Sequence, residues 1–179
     1  EQRSIGPSLG QDNIKRGMIA LAIGAALTFI FLALYYRAFG MIANLVLLLN
    51  VILLVALMSL LQASLSLPGI AGIVLTIGMA ADANVLIYER IREELRNGNS
   101  PQTAIHAGFD KAFSAIADSN VTTLIAGVVL FAFGTGPIKG FAVTLVLGIV
   151  TSLFSAILCS RVIIDLIWGH RRRLAALPV

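Results

Sequence analysis

A chain of 179 residues that is 58% hydrophobic and only 12% charged stands apart from soluble globular domains, in which roughly 25% of residues are charged. A mean hydropathy of +0.93 and a net charge of only +4 exclude a soluble enzyme and a nucleic-acid binder, which needs a basic face with aromatic platforms. The one cysteine, Cys159, sits in an apolar run. No disulfide framework, cysteine-based metal site or cofactor is expected.

Residues 1–14 are polar and broken by Gly6, Pro7 and Gly10, which predicts an extended lead-in. No basic-then-apolar leader follows Glu1, and the absent initiator Met makes the chain read as a piece of a longer protein. The fold class is all-α: apolar runs predict a membrane helix bundle with spans at about 15–36, 41–61, 69–88, 113–133 and 141–168. A hydrocarbon core about 30 Å thick takes about 20 apolar residues per helix. Tyr35, Tyr36 and Arg37 mark an interface, and the linker Arg37–Gly40 is short enough to force an antiparallel hairpin. Pro68 suits the start of the third span, because the first helical N–H groups lack partners anyway.

The third span runs on into Glu89–Arg96, where acids and arginines alternate at helical spacing. Asn97, Gly98 and Asn99 predict a stop, and Ser100 with Pro101 a new start. Ile105, Phe109 and Phe113 recur every fourth residue, opposite Gln102, His106 and Asp110. That pattern predicts a short interfacial helix within a cytoplasmic loop at 89–112, with His106 solvated. In the fifth span Thr144, Gly148 and Ser152, continued by Ser155 and Cys159, make a small-residue stripe for close helix approach. Arg161 and Asp165 are spaced to pair, and residues 169–179 form a basic tail.

Lys and Arg near span ends orient such a protein. Arg37, Arg90, Arg92, Arg96, Lys111, Arg161 and Arg171–Arg173 share one side; Arg3, Lys15, Arg16 and Lys139 share the other. The tail and the charged loop are therefore expected in the cytoplasm, and residue 1 on the far side.

Asp82 is the residue that generic apolar sequence does not explain. A charge near the middle of a bilayer costs about 2.5–3.5 kcal/mol on insertion scales, so Asp82 is expected to be buried within the bundle, where low dielectric favours a protonated carboxyl. Asp82 is seven residues before Glu89 and Asp118 seven after Lys111, so both are expected about 10 Å inside the same interface. Gly78 and Glu89 share the face of Asp82, and Thr122 that of Asp118, while Asn120 and Thr123 point elsewhere. Three readings stand: a cation relay centred on Asp82, the two-aspartate site of an intramembrane protease, or two acids that only stabilise packing. The protease reading is weakened by Ala117 preceding Asp118, where a glycine is usual.

Gly78-Met79-Ala80-Ala81-Asp82-Ala83-Asn84, continued by Tyr88-Glu89-Arg90, resembles the signature of the SecD/SecF family of bacterial protein-export membrane proteins. So do Gly6-Pro7-Ser8-Leu9-Gly10, Pro68-Gly69-Ile70-Ala71-Gly72, Asp118-Ser119-Asn120-Val121-Thr122-Thr123 and Gly134-Thr135-Gly136-Pro137-Ile138-Lys139-Gly140. Ala80-Ala81 departs from the Ala-Val of many relatives, and Tyr88 stands at a variable position. The resemblance implies helices two to six of a six-helix half of the resistance-nodulation-division superfamily, whose periplasmic domain follows the first helix. It further implies a multi-pass subunit of the bacterial inner membrane, partnered by a SecF-type subunit, the Sec translocation channel, preprotein and membrane lipid, with no nucleic acid. By the same resemblance Asp82 couples an ion gradient to late steps of export, H+ or alternatively Na+. Asn84, Asp118 and Asn120 are then assigned to the ion site, with Gly78, Glu89, Arg90, Thr122 and Thr123 supporting. Another ion-coupled exporter of the superfamily, or a membrane scaffold, are the alternatives.

Overall fold

The computed structural model describes residues 7–63 and 66–169, with residues 7–10 and 169 as backbone only. Residues 1–6 of the lead-in and the tail from 170 lie outside them. Every element among the described residues is helical. α1 (Pro7–Leu60) is 54 residues long and would measure about 80 Å if straight. It folds back instead at Arg37, whose φ of 48° and ψ of −114° are non-helical. Asn44 Nδ2 donates to the Phe29 carbonyl at 3.0 Å, which a straight helix would hold on the order of 20 Å away. At the apex Gly40 lies against Leu32, where an added Cβ would stand 1.8 Å from the carbonyl oxygen.

The expected four-residue linker thus contracts to Arg37 alone, because glycine at 40 lets the two limbs touch one turn from the bend. Residues 7–14, expected to be extended, are the first turns of α1. A lone Gly10 costs a helix only about 1 kcal/mol, and the apolar span that follows outweighs it.

Arg37 has a counterpart in Gly136, which starts the last span with φ 51° and ψ −120°. Glycine takes that conformation without penalty, whereas a side chain there costs on the order of 1–3 kcal/mol. Arg37 is exposed, so Arg37→Gly should raise stability by about 1 kcal/mol. Gly136→Ala should lower it by a similar amount, although nothing lies within 4 Å of an added Cβ. Thermal unfolding in detergent reads both; equal and unchanged melting would remove the strain argument.

α2 (Leu67–Arg96) is capped by Ser66, whose Oγ accepts from the Gly69 N–H at 3.3 Å. It ends at Asn97, with Gly98 at φ +86°. α3 (Pro101–Phe133) is capped by Ser100 accepting from the Thr103 N–H. The stop and restart read from sequence are thus present. The separate interfacial helix is not, since α3 continues unbroken from Pro101 through the fourth span. Ile105 and Phe109 do not meet a membrane surface; they are buried in the bundle core with Ile87, Tyr88 and Ile91. Gly108 makes this possible, because an added Cβ would come within 2.9 Å of the Ile91 backbone nitrogen. His106 is exposed as expected, with Nδ1 3.4 Å from Arg161.

The last span is α4 (Pro137–Leu153), a wide π-helical segment at Phe154–Cys159, α5 (Ser160–Ile164) and a second wide segment at Asp165–Gly169. Thr144, Gly148 and Ser152 pack inward as the stripe predicts, but the buried line continues through Ala156, Ser160, Ile164 and Trp168 rather than Cys159. A strict four-residue repeat drifts by about 40° per step on a 3.6-residue helix. Wide turns with i→i+5 bonds take up that drift and keep one line facing the core. Trp168 ends it stacked on Phe39 at 4.7 Å.

Among the described residues four helices, counted over Gln11–Leu60, Leu67–Arg96, Pro101–Phe133 and Pro137–Trp168, are long and apolar enough to cross a membrane. With the reversal at Arg37 the chain passes along the bundle five times. α2 is central, its most apolar window 56% buried, while that of α3 is only 17% buried. α3 therefore presents most of its circumference outward, and that side bears on the site.

Candidate functional site

Asp82 projects from the outer surface of α2, exposed in this chain; the expected burial within the bundle is not what the structure has. The reason is helical phase. Ala81, Ala83, Asn84, Ile87 and Tyr88 are buried, so the small, close-packing side of α2 points inward and turns Asp82 away. Asn84 belongs to the opposite side. It is fully buried, with Nδ2 donating to the Ala80 carbonyl at 2.9 Å and Oδ1 unpaired.

Two clefts meet at Asp82. One, of about 150 Å³, runs between α2 and α3, and its walls include Met79, Ser119, Asn120 and Thr123. The other, of about 380 Å³, lies between the first limb of α1 and α2, with Thr28, Phe31 and Gly78 among its walls. Gly78 leaves the second cleft open, since nothing lies within 4 Å of an added Cβ.

The hydroxyls along these clefts have already spent their donors, and Asn120 has spent one of its two. Ser119 Oγ and Asn120 Nδ2 donate to the Ile116 carbonyl at 3.2 and 2.7 Å. Thr123 Oγ1 donates to the Ser119 carbonyl at 3.0 Å, and Thr28 Oγ1 to Gly24 at 2.9 Å. What the hydroxyls have left to offer is an oxygen lone pair, while Asn120 keeps its amide oxygen and a second N–H. An ionised Asp82 finds at most the second N–H of Asn120 among them, whereas a protonated carboxyl or a small cation finds an oxygen acceptor on every one. The arrangement is suited to loading a cation.

Asp118 is at the level of Asp82 but on another side of its helix. The register of Ile91 against Gly108 brings residues 82 and 117 opposite each other on the antiparallel pair. Asp118 nevertheless walls neither cleft. It faces outward and exposed, and Thr122 beside it is exposed with Oγ1 donating to the Asp118 carbonyl at 3.1 Å. The two-aspartate arrangement of a protease is not formed within this chain; Asn120 and Thr123, which point away from the Asp118 side as expected, line the cleft of Asp82 together with Ser119.

Glu89 and Arg90 stand apart from the cleft, at the charged end. Glu89 Oε1 accepts from Tyr36 at 3.0 Å and from Arg92 at 2.9 Å, and Arg90 pairs with Glu93 at 2.7 Å. Arg92 also lies 4.8 Å over the Tyr36 ring, tying α2 to the bend of α1.

Glu94 was not singled out from sequence. It is 4% exposed, accepts from Lys111 across the α2–α3 turn and from Asn99 Nδ2 at 2.6 Å, and locks that turn. Its only sequence signal is a lysine seventeen residues downstream, beyond the helix stop, which is too ordinary to stand out. Ser119 has no distinct sequence signal of its own, lying between two more conspicuous residues.

The family model described as protein export membrane protein SecD/SecF, C-terminal, matches residues 1–169. Among curated proteins, the protein translocase subunit SecD of Desulfurispirillum indicum is 60% identical over 96% of this chain and 33% of its own length. That of Pseudomonas aeruginosa is 58% identical over 96% of this chain and 28% of its own length. The chain thus spans about a third of the curated relatives it matches. Among solved structures, SecDF in its super-membrane-facing form superposes with a TM-score of 0.86 at 42% identity, over 96% of this chain and 24% of that one. The translocon-associated SecDF from Thermus gives the same score and identity over 95% and 24%.

Proposed function

Since the chain belongs to the SecD/SecF family of protein-export membrane proteins, we propose that it is the membrane part of a Sec-type export subunit of the bacterial inner membrane. In it, Asp82 takes up and releases the ion whose gradient drives late steps of preprotein translocation. The observation that carries this is the environment of Asp82, a carboxylate on an intramembrane surface among side chains whose remaining polar capacity is mainly oxygen acceptors. A charge there costs a few kcal/mol against lipid, and binding H+, or Na+, removes most of that cost. The same cost argues that a SecF-type subunit covers this side, laid across the outward side of α3 where Asp118 and Thr122 are exposed. Binding and release then alter the fit between two subunits, a local charge event with a bistable interface as its readout. Asp118 and Thr122 contribute from the rim, and Asn84 lies on the opposite, buried side of α2 with its Oδ1 unpaired.

The nine basic residues that share one side, among them Arg90, Arg92 and Lys111, favour a cytoplasmic charged end. Inner-membrane vesicles carrying the full-length protein and its Sec partners test the reading. Export completed after ATP is exhausted should depend on an imposed proton gradient, or on a sodium gradient imposed separately. Export indifferent to both gradients would defeat ion coupling while leaving the family assignment untouched.

A further inference from the structure

At the bundle end away from Glu94, two cavities open side by side. The first is an apolar groove of about 210 Å³ walled by Leu61, Val128, Phe131, Val143, Val146 and Leu147. The second, of about 410 Å³, has Ser66, Gly136, Lys139 and Gly140 in its wall, together with Val143. Because Val143 borders both, one ligand can lie across the two. The Lys139 ammonium is held 4.8 Å from the centre of the Phe131 ring, so a positive charge stands where the apolar groove opens into the polar cavity. Among the described residues no carboxylate pairs with it. α2 and α4 both begin beside this cavity, at Leu67 and Pro137, and their N-terminal ends add partial positive charge.

We propose that this corner binds one anionic phospholipid, its phosphate against Lys139 in the polar cavity and one acyl chain along Phe131, Val143 and Val146. The groove is too small for a helix some 10–12 Å across but takes a run of methylenes. Its head is cationic, where a protein partner of this apolar character would bring no charge to match. Bulk lipid tails are as apolar as the groove, so selectivity comes from the headgroup. One lysine near a membrane surface corresponds to about fivefold enrichment of an anionic lipid. The proposal rests on the chain spanning a membrane and not on its role in export.

The full-length protein in nanodiscs of equal phosphatidylglycerol and phosphatidylcholine, released gently and read by native mass spectrometry, tests it. The expected result is one retained phosphatidylglycerol, favoured about fivefold over phosphatidylcholine. Lys139→Gln should bring the two lipids to parity, and Lys15→Gln should leave the preference intact. Val143→Trp should fill the groove and abolish retention of either lipid, with helix content unchanged by circular dichroism. Equal retention by the wild type, or a Lys139→Gln protein that keeps its preference, overturns the proposal. So does a Lys15→Gln protein that loses it equally. A Val143→Trp protein that keeps its phosphatidylglycerol but sheds a Sec subunit makes the groove a protein interface, and the proposal fails.

Discussion

Asp82→Asn is expected to abolish gradient-dependent export completely while the protein remains folded and bound to its partner. Asparagine matches the size of aspartate, and Asp82 is exposed on this chain, where substitutions usually change stability by less than about 0.5 kcal/mol. The clefts on either side keep their shape, since neither Gly78 nor Thr123 depends on the carboxylate for a hydrogen bond. What asparagine cannot do is change charge. An amide is neutral throughout, so the surface that under this proposal alternates between −1 and 0 is fixed in its neutral state. The measurement is export in vesicles under an imposed gradient, alongside co-purification of the partner subunit. Full export would mean that another group carries the ion, with Asp118 the next to change. Loss of partner binding or of folding would instead mean that Asp82 only stabilises packing.

The second large effect concerns two of the places where glycine lets neighbouring helices approach almost to contact. At Gly108 an added Cβ would lie 2.5 Å from Ile91 Cγ1 and 3.0 Å from Ile91 Cα. At Gly148 it would lie 2.1 Å from Thr76 Oγ1 and 2.8 Å from Thr76 Cβ. A side-chain end can rotate aside, but the backbone of Ile91 and the Cβ of Thr76 cannot without moving a helix. Gly108→Ala and Gly148→Ala should therefore each cost about 1–3 kcal/mol, the usual range for overpacking. The losses should add, because one crossing joins α2 to α3 and the other joins α2 to α4. Gly24→Ala is the matched control. Nothing lies within 4 Å of a Cβ there, so only the gain in helix propensity of roughly 0.5–1 kcal/mol remains. Thermal unfolding in detergent orders the three; losses at Gly24 as large as at Gly108 would show that helix crossings do not limit stability.

What the sequence determined by itself are features that each depend on a few adjacent residues. Five apolar runs of membrane length need only counting. The caps at Ser66 and Ser100 and the stop at Asn97–Gly98 follow from the local chemistry of side-chain acceptors, proline and positive φ. The isolated acid at 82 is visible for the same reason, since no neighbour disguises it. The helical offsets that group Gly78 with Asp82 and Thr122 with Asp118 also hold in the structure, because they depend on helix geometry alone.

Only the tertiary structure decided which way each side faces. In a soluble protein a polar side announces the solvent, but a helix in lipid is apolar all round, so periodicity does not reveal the core. α2 therefore turned its small residues inward and Asp82 outward, contrary to the expectation that a costly charge would be buried. The continuity of α3 was settled at one point of contact, where glycine at 108 admits Ile91 and draws Ile105 and Phe109 into the bundle. The wide turns of the last span arise from a mismatch between a four-residue repeat and a 3.6-residue helix, which becomes a constraint only when a neighbouring helix must be met along its whole length. The hydroxyl donors of Ser119 and Thr123 and one N–H of Asn120 are satisfied within α3, but the acceptors left over acquire meaning only because α2 brings a carboxylate alongside.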